Sequence, residues 1–356
     1  MSPWSGSTGP PILGRAVSGS RSCFGWATMG FLQLLACGVG LGGQEPDGFP
    51  HVRGAYFGEP PPGLVPRLFA PGIASTDLGD DWPPLFTPDG TEVLLRVVAP
   101  KGDGSVVGIL MSSVRVQGVW QPPEPLWFSN EFLEVEGFPA LALDGASLFV
   151  STAREEWTGE GDPDRDIWVF QREARGWGEP TRVGPSVNSD LHDLITAVGP
   201  DGTLYFDREP REGSWYSRSY LARPDSGGGY QVPELITDSS ETPGQFQKYA
   251  IAPDGSYRVL TGTHPTRGFD LYVSFREPSG SWGAPVNLES VNSNRSDKFP
   301  ALSHDGRFLF FASRRTPLGE IPPRYWPLPG VQSAPDGNQV DVFWVSTEVI
   351  ERMRPR

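Results

Sequence analysis

Cysteine is nearly absent from this chain: Cys23 and Cys37 are the two among 356 residues, and both precede the first acidic residue, Glu45. No disulfide can therefore brace whatever folds after them, which leaves the hydrophobic core to do so. Methionine is scarce, with four residues, and basic charge is outnumbered, with 29 Lys and Arg against 43 Asp and Glu. A formal charge of −14 and the lack of any basic stripe exclude a sequence-independent grip on nucleic acid phosphates. Long apolar runs are missing too; the best, Cys23 to Ala36, is too short and too rich in small residues to span a membrane comfortably. What the chain does have is 44 Gly, 38 Pro and many aromatics, a composition of turns and strands rather than long helices.

The apolar run follows Arg15 and Arg21 and ends in Leu34-Leu35-Ala36-Cys37-Gly38. A charged segment, an apolar segment and a small-residue site are the parts of a secretory signal. The last residues resemble the lipobox of bacterial lipoproteins, which implies a signal peptide over 1–36 (lipobox 34–37), lipidation at Cys37 and a lipid anchor in the membrane. A plain secretory signal is the alternative. Residues 37–54, Gly-rich and polar, read as a flexible tether. Both readings send the chain across the inner membrane to the periplasm or outer membrane, and Gly38, standing where an Asp retains inner-membrane lipoproteins, leans towards the outer one.

Asp-Gly preceded by a compact apolar stretch occurs five times, at Asp89, Asp144, Asp201, Asp254 and Asp305, spaced by 55, 57, 53 and 51 residues. Asp-Gly between apolar runs is a hairpin signal, and self-similarity at about 50 residues indicates propeller blades. Third strands follow at Gly108-Ile109-Leu110, Asp166-Ile167-Trp168, Ser219-Tyr220-Leu221, Asp270-Leu271-Tyr272 and Asp341-Val342-Phe343. Fourth strands are announced by Trp-x-x-Pro at Trp120, Trp177 and Trp282, with Tyr230 as a weaker copy; the prolines belong on an outer edge. The last unit lacks this strand, while Pro66-Arg67-Leu68-Phe69 matches it near the front of the chain. The units therefore predict an all-β fold, a five-bladed β-propeller over 55–350 whose ring is closed by an N-terminal strand completing the C-terminal blade. Blades fall around 76–130, 131–190, 191–240, 241–293 and 294–346 plus 64–73; a six-bladed ring is the alternative.

With its Pro-Asp-Gly turn at Pro88, Pro200 and Pro253 and its Asp-led third strand, the unit resembles the WD40-like (PD40) repeats of TolB-like proteins. The resemblance spans Tyr56 to about Ser346. It implies the propeller, and it implies function only broadly, since such propellers serve as binding platforms, lipoproteins and appendages to hydrolases.

Aligned on the turn Asp, two columns emerge. Eight residues earlier stand Asp81, Glu136, Asp193, Phe246 and Asp297; ten residues later stand Ala99, Arg154, Arg211, His264 and Arg315. The hairpin brings both columns to one rim, around a mouth of the central channel. One reading is a polar ring that binds a peptide, a protein or a glycan; the other is that acids and bases pair and hold the blades in place. The loop 316–340, with Arg324, Tyr325 and Trp326 in IPPRYWPLPG, emerges on the same rim and is a candidate lid.

No cofactor or metal is expected. His51, His192, His264 and His304 lack metal-ligand spacing, and the calcium-like run Asp162 to Glu173 has Ile167 where a glycine is needed. No GxSxG elbow occurs. Ser75-Thr76-Asp77-Leu78-Gly79-Asp80-Asp81-Trp82 fits a sialidase-type box, but once only and outside the third-to-fourth-strand turn. The sequence thus favours a non-catalytic, monomeric binding or interaction module of the cell envelope. The alternatives are a carbohydrate-active hydrolase using rim carboxylates and a scaffold presenting the tryptophans of its outer edges.

Overall fold

The five Asp-Gly turns are built alike. Gly90, Gly145, Gly202, Gly255 and Gly306 all lie at φ between 62° and 79°, where a Cβ is costly. Each Asp carboxylate accepts the N–H two residues on, from Thr91, Ala146, Thr203, Ser256 and Arg307, at 2.8–3.1 Å. The turn proline adds a contact between blades. A Cβ on Gly145, Gly255 or Gly306 would stand 2.7, 3.3 or 3.5 Å from Pro88, Pro200 or Pro253 of the preceding unit. One Pro-Asp-Gly therefore closes a hairpin and seats the next.

The computed structural model describes residues 48–100, 106–129, 139–153, 164–210, 217–236, 246–316, 324–325 and 340–355. These form five antiparallel sheets arranged as a five-bladed β-propeller. Blade I has a first strand in two pieces, Asp80–Asp81 and Leu85–Phe86, then Glu92–Pro100, Val106–Val116 and Glu124–Pro125. Its first strand breaks at Pro83-Pro84, which cannot donate to the ladder. Blade II comprises Ala140–Leu141, Ser147–Thr152, Asp166–Glu173 and Thr181–Arg182; blade III comprises His192–Val198, Leu204–Glu209, Arg218–Ala222 and Glu234–Leu235. Blade IV comprises Phe246–Ile251, Tyr257–His264, Gly268–Phe275 and Val286–Asn287. Blade V takes three strands from its own unit, Asp297–Leu302, Phe308–Ser313 and Asp341–Ser346, and its outermost, Arg67–Leu68, from the front of the chain.

That closure has the register the repeat predicts, Arg67 opposite Trp344 and Leu68 opposite Phe343. The Phe69 amide extends it by donating to the Val342 carbonyl at 2.8 Å. Pairing here removes two sheet edges that would otherwise be open to association. The seam is filled with aromatics: Phe69 lies 4.9 Å from Phe310 and 5.0 Å from Trp344 between ring centres.

The packed chain begins before residue 55. Trp120 donates its amide to the Val52 carbonyl and its indole N–H to that of Gly54, at 2.9 and 2.8 Å, so 49–54 lie against blade I. Tyr56 then crosses the seam, its ring 4.9 Å from Phe86 of blade I and 5.1 Å from Phe308 of blade V. Tyr56 and Phe57 hold φ of 49° and 56°, left-handed values that cost roughly 1–2 kcal/mol per residue and persist because the aromatic cluster fixes them.

Of the three Trp-x-x-Pro tryptophans, two are buried and Trp282 is half-buried. Trp120 and Trp177 are buried, and an arginine from the paired strand covers the latter, Arg172 lying 4.0 Å from its ring centre. Register explains this: Arg115 is opposite Trp120 and Arg172 opposite Trp177.

Candidate functional site

Asp297 opens the first strand of blade V, and Asp193 and Asp81 are the second residues of the first strands of blades III and I. All three are buried, not displayed. The segment arriving from the preceding outer strand turns sharply and leaves an amide to be satisfied, and the carboxylate caps it. Asp81 accepts the N–H and hydroxyl of Thr76 at 2.5 and 3.0 Å. Asp193 accepts those of Ser189 at 2.7 and 2.8 Å, and Asp297 those of Ser293 at 2.5 and 2.8 Å.

Two of the carboxylates are also paired with arginine. Arg315 donates to Asp297 at 2.7 Å and to the Val291 carbonyl at 2.7 Å. Arg208 does the same for Asp193 and the Val187 carbonyl, both at 2.7 Å. Arg208 was not among the expected residues. Burial raises the Asp193 carboxyl above its ordinary value, against the opposing pull of Ser189 and Arg208. Burial also holds the Asp81 carboxyl well above the usual range, with repulsion from Asp341 adding to it and Thr76 opposing it.

His264 ends the second strand of blade IV, where its Nδ1 lies 3.3 Å from the Thr266 amide that donates to it. Its column partner is Phe246, so no ion pair is available there. Tyr325 lies at the blade V–blade I junction: its amide donates to the Gly72 carbonyl at 2.9 Å, and neighbouring Arg324 donates to Asp77 at 3.1 Å. Glu136, Arg154, Arg211, Trp326, Cys37 and the signal segment 1–36 lie outside the described residues. Glu173, the last position of the calcium-like run, sits in the third strand of blade II rather than in a loop, which removes the calcium reading. Among the described residues no group of three His, Cys, Asp or Glu is placed to hold a metal ion.

The sialidase-type box does structural work at the seam. The Ser75 hydroxyl bonds both the carbonyl and the amide of Val342, each at 3.1 Å. Trp82 stacks on Arg96, 3.4 Å from guanidinium carbon to ring centre, and lies 4.8 Å from Phe299. Around it stands a charge group of which column alignment found only Asp81. Asp80 and Asp81 precede Trp82, and Asp341 opens the neighbouring third strand, with Asp81 donating its amide to the Val340 carbonyl at 2.8 Å. Burial lifts the Asp341 carboxyl to about 7, with Asp80 adding to it, and lowers the Arg96 guanidinium to about 9. Lys298 is also lowered by burial. The one available signal was Asp at the head of three third strands, Asp166, Asp270 and Asp341, all buried.

The first strands of all five blades line a central cavity of about 100 Å³. Four residues before each turn Asp stand Leu85, Ala140, Ala197, Ala250 and Ala301, so the throat is apolar and narrow. That volume is below the several hundred Å³ of an ordinary ligand pocket. A ligand on this axis would sit at the mouth, not inside.

No family model matches this chain, and no curated protein does. Among solved structures it is similar to a putative TolB from Agrobacterium tumefaciens, at 17% identity and TM-score 0.43, covering 75% of this chain and 90% of that one. It is also similar to TolB from Acinetobacter baumannii, at 16% and 0.42, covering 67% of this chain and 49% of that one, so it spans about half of that protein. An alpha-L-arabinofuranosidase from Lactobacillus brevis stands at 11% and 0.46, covering 78% and 92%. The similarity is one of fold alone. Both a TolB and a glycosidase fall within it, and the rim must be read from its own residues.

Proposed function

We propose that this protein is a non-catalytic binding module of the cell envelope, which takes a peptide, protein or glycan at the rim carrying Tyr325. The observation that supports the reading is the division of labour on that rim. Asp81, Asp193 and Asp297 are buried and occupied by turn amides, hydroxyls and arginines, whereas the Tyr325 ring is 40% exposed and held by fixed contacts to Gly72. Glycosidases of the two-carboxylate kind need a pair of carboxyl groups flanking an open cleft, and Asp81, Asp193 and Asp297 do not form one. A rigid exposed aromatic is a binding feature, since it supplies contact area at little entropic cost.

The test is a panel of peptides and oligosaccharides, scored for binding and, in the same samples, for product release. Binding without turnover, weakened about tenfold by Tyr325→Ala, is the expected result; one factor of ten corresponds to about 1.4 kcal/mol, a reasonable share for one aromatic contact. Release of product, or an affinity indifferent to Tyr325, would overturn the reading.

A further inference from the structure

On the opposite face, where the Asp-Gly turns emerge, a groove of about 1010 Å³ runs between blades I and II. Trp127 forms part of its wall, 49% exposed. This indole is pinned: its N–H donates to the Trp177 carbonyl at 2.9 Å, and it meets Phe128 and Phe170 edge-on at 5.5 and 6.4 Å between ring centres. A satisfied N–H and a fixed ring leave apolar surface in water with no structural use for its exposure. Exposed Val114 extends that surface along the groove.

The polar wall is balanced. Asp89, Glu92, Asp144 and Glu173 face Arg115, Arg172 and Arg175 across the same space, and Arg172 pairs with Glu92. Carboxylates only accept hydrogen bonds and guanidiniums only donate, so a ligand serving both must carry groups that do either, as hydroxyls do. Near-cancelling charge gives no field for an ion. Among the described residues the groove also has no long free strand for an extended peptide to pair with: the nearby outer strand of blade I is Glu124–Pro125, two residues long and ending in proline.

The geometry points to a binding site for a neutral oligosaccharide in this groove, with a sugar ring stacked on Trp127 and its hydroxyls shared between Asp144 and the arginines. The site is separate from the Tyr325 rim and stands or falls independently of it.

The experiment titrates the full chain with neutral hexasaccharides of glucose, xylose, mannose and N-acetylglucosamine, followed by calorimetry and tryptophan fluorescence. At least one should bind with a fluorescence change, Trp127→Ala should weaken it tenfold or more, and Trp127→Phe should retain part of the affinity. Ala146→Arg, which fills the groove without touching the core, should abolish binding while the melting temperature stays as in the parent. Tyr325→Ala should leave it unchanged. Absence of binding by every hexasaccharide, or binding indifferent to both Trp127→Ala and Ala146→Arg, would overturn the proposal. So would salt-sensitive binding of hexalysine at this groove in place of the sugars.

Discussion

Tyr325 packs its ring directly over Gly72, so that a Cβ on Gly72 would stand 2.5 Å from the ring carbon Cε2. Gly72 is also left-handed, at φ 78°. Gly72→Ala is therefore expected to cost about 1–2 kcal/mol through its backbone alone and to push the tyrosine off its seat. Hydrogen exchange reads the outcome: the Tyr325 amide, which donates to the Gly72 carbonyl, should lose protection while the strands of blade III keep theirs. Equal protection of Tyr325 in both proteins would show that the seat of its ring on Gly72 does not hold the Tyr325 backbone in place.

Removing a rim carboxylate should destabilise the fold. Asp297→Ala takes the carboxylate from the half-buried Arg315 guanidinium and Ser293 amide, and breaking a buried pair from one side costs up to about 3–5 kcal/mol, less here because Arg315 keeps the Val291 carbonyl and some solvent. Replacing both partners by apolar residues should cost less than the sum of the single changes, because no uncompensated charge is left behind. Urea unfolding of the four members of this cycle checks it. A parental midpoint for Asp297→Ala would return Asp297 to the role of a free ligand-binding group.

The blade count, the turns and the closing strand were legible because their causes are local. Gly at positive φ, Asp caps and proline edges act within a few residues and recur at each unit. The rim chemistry was not legible for a reason visible in the register. Asp193 lies opposite Arg208 in blade III, but Asp297 lies opposite Ser313 in blade V, with register shifts between Ile195 and Ala197 and between Lys298 and Ala301. Each bulge inserts one residue, but the turns differ: Val198 faces Leu204 in blade III and Leu302 faces Leu309 in blade V, which shifts the second strand by one residue. In blade III the arginine stands across from its acid, whereas in blade V it stands two residues further, on the same face, and reaches back. A fixed offset of ten found Arg315 and passed over Arg208. Asp341 escaped for a different reason, since its neighbour Asp80 is brought to it only by ring closure.

Asp341 should make the protein lose stability as the solution turns from acid to neutral. Its folded carboxyl is raised to about 7 from an unfolded value of 3.8, by burial and by Asp80. Between those limits the unfolded chain gives up its proton and the folded one retains it, so stability is greatest at the acid end of the window and falls with rising pH. Asp81 and Asp193, also raised, act in the same direction. The full three-unit gap corresponds to at most about 4 kcal/mol. Asp341→Asn should raise the urea midpoint at pH 8 and change it little at pH 4. The same gain at both values would mean that the substitution improves packing and that the charge is of no account.

The closing strand should carry far more of the fold than its two paired residues suggest. Phe69 is fully buried and touches Phe57, Phe86, Phe310 and Trp344, rings that come from the front of the chain and from both blades at the seam. Phe69→Ala is expected to cost about 3–5 kcal/mol, more than the same change at Phe275, which is less enclosed. The reason for the difference is topological. Losing Phe275 leaves its blade intact, whereas loosening Phe69 frees Arg67–Leu68 and bares the edge of Asp341–Ser346, a strand with five buried positions and unpaired backbone groups. The variant should therefore associate as well as melt early, and sedimentation at rising concentration separates the two effects. A Phe69→Ala protein that melts early yet stays monomeric would mean that blade V holds together without its fourth strand.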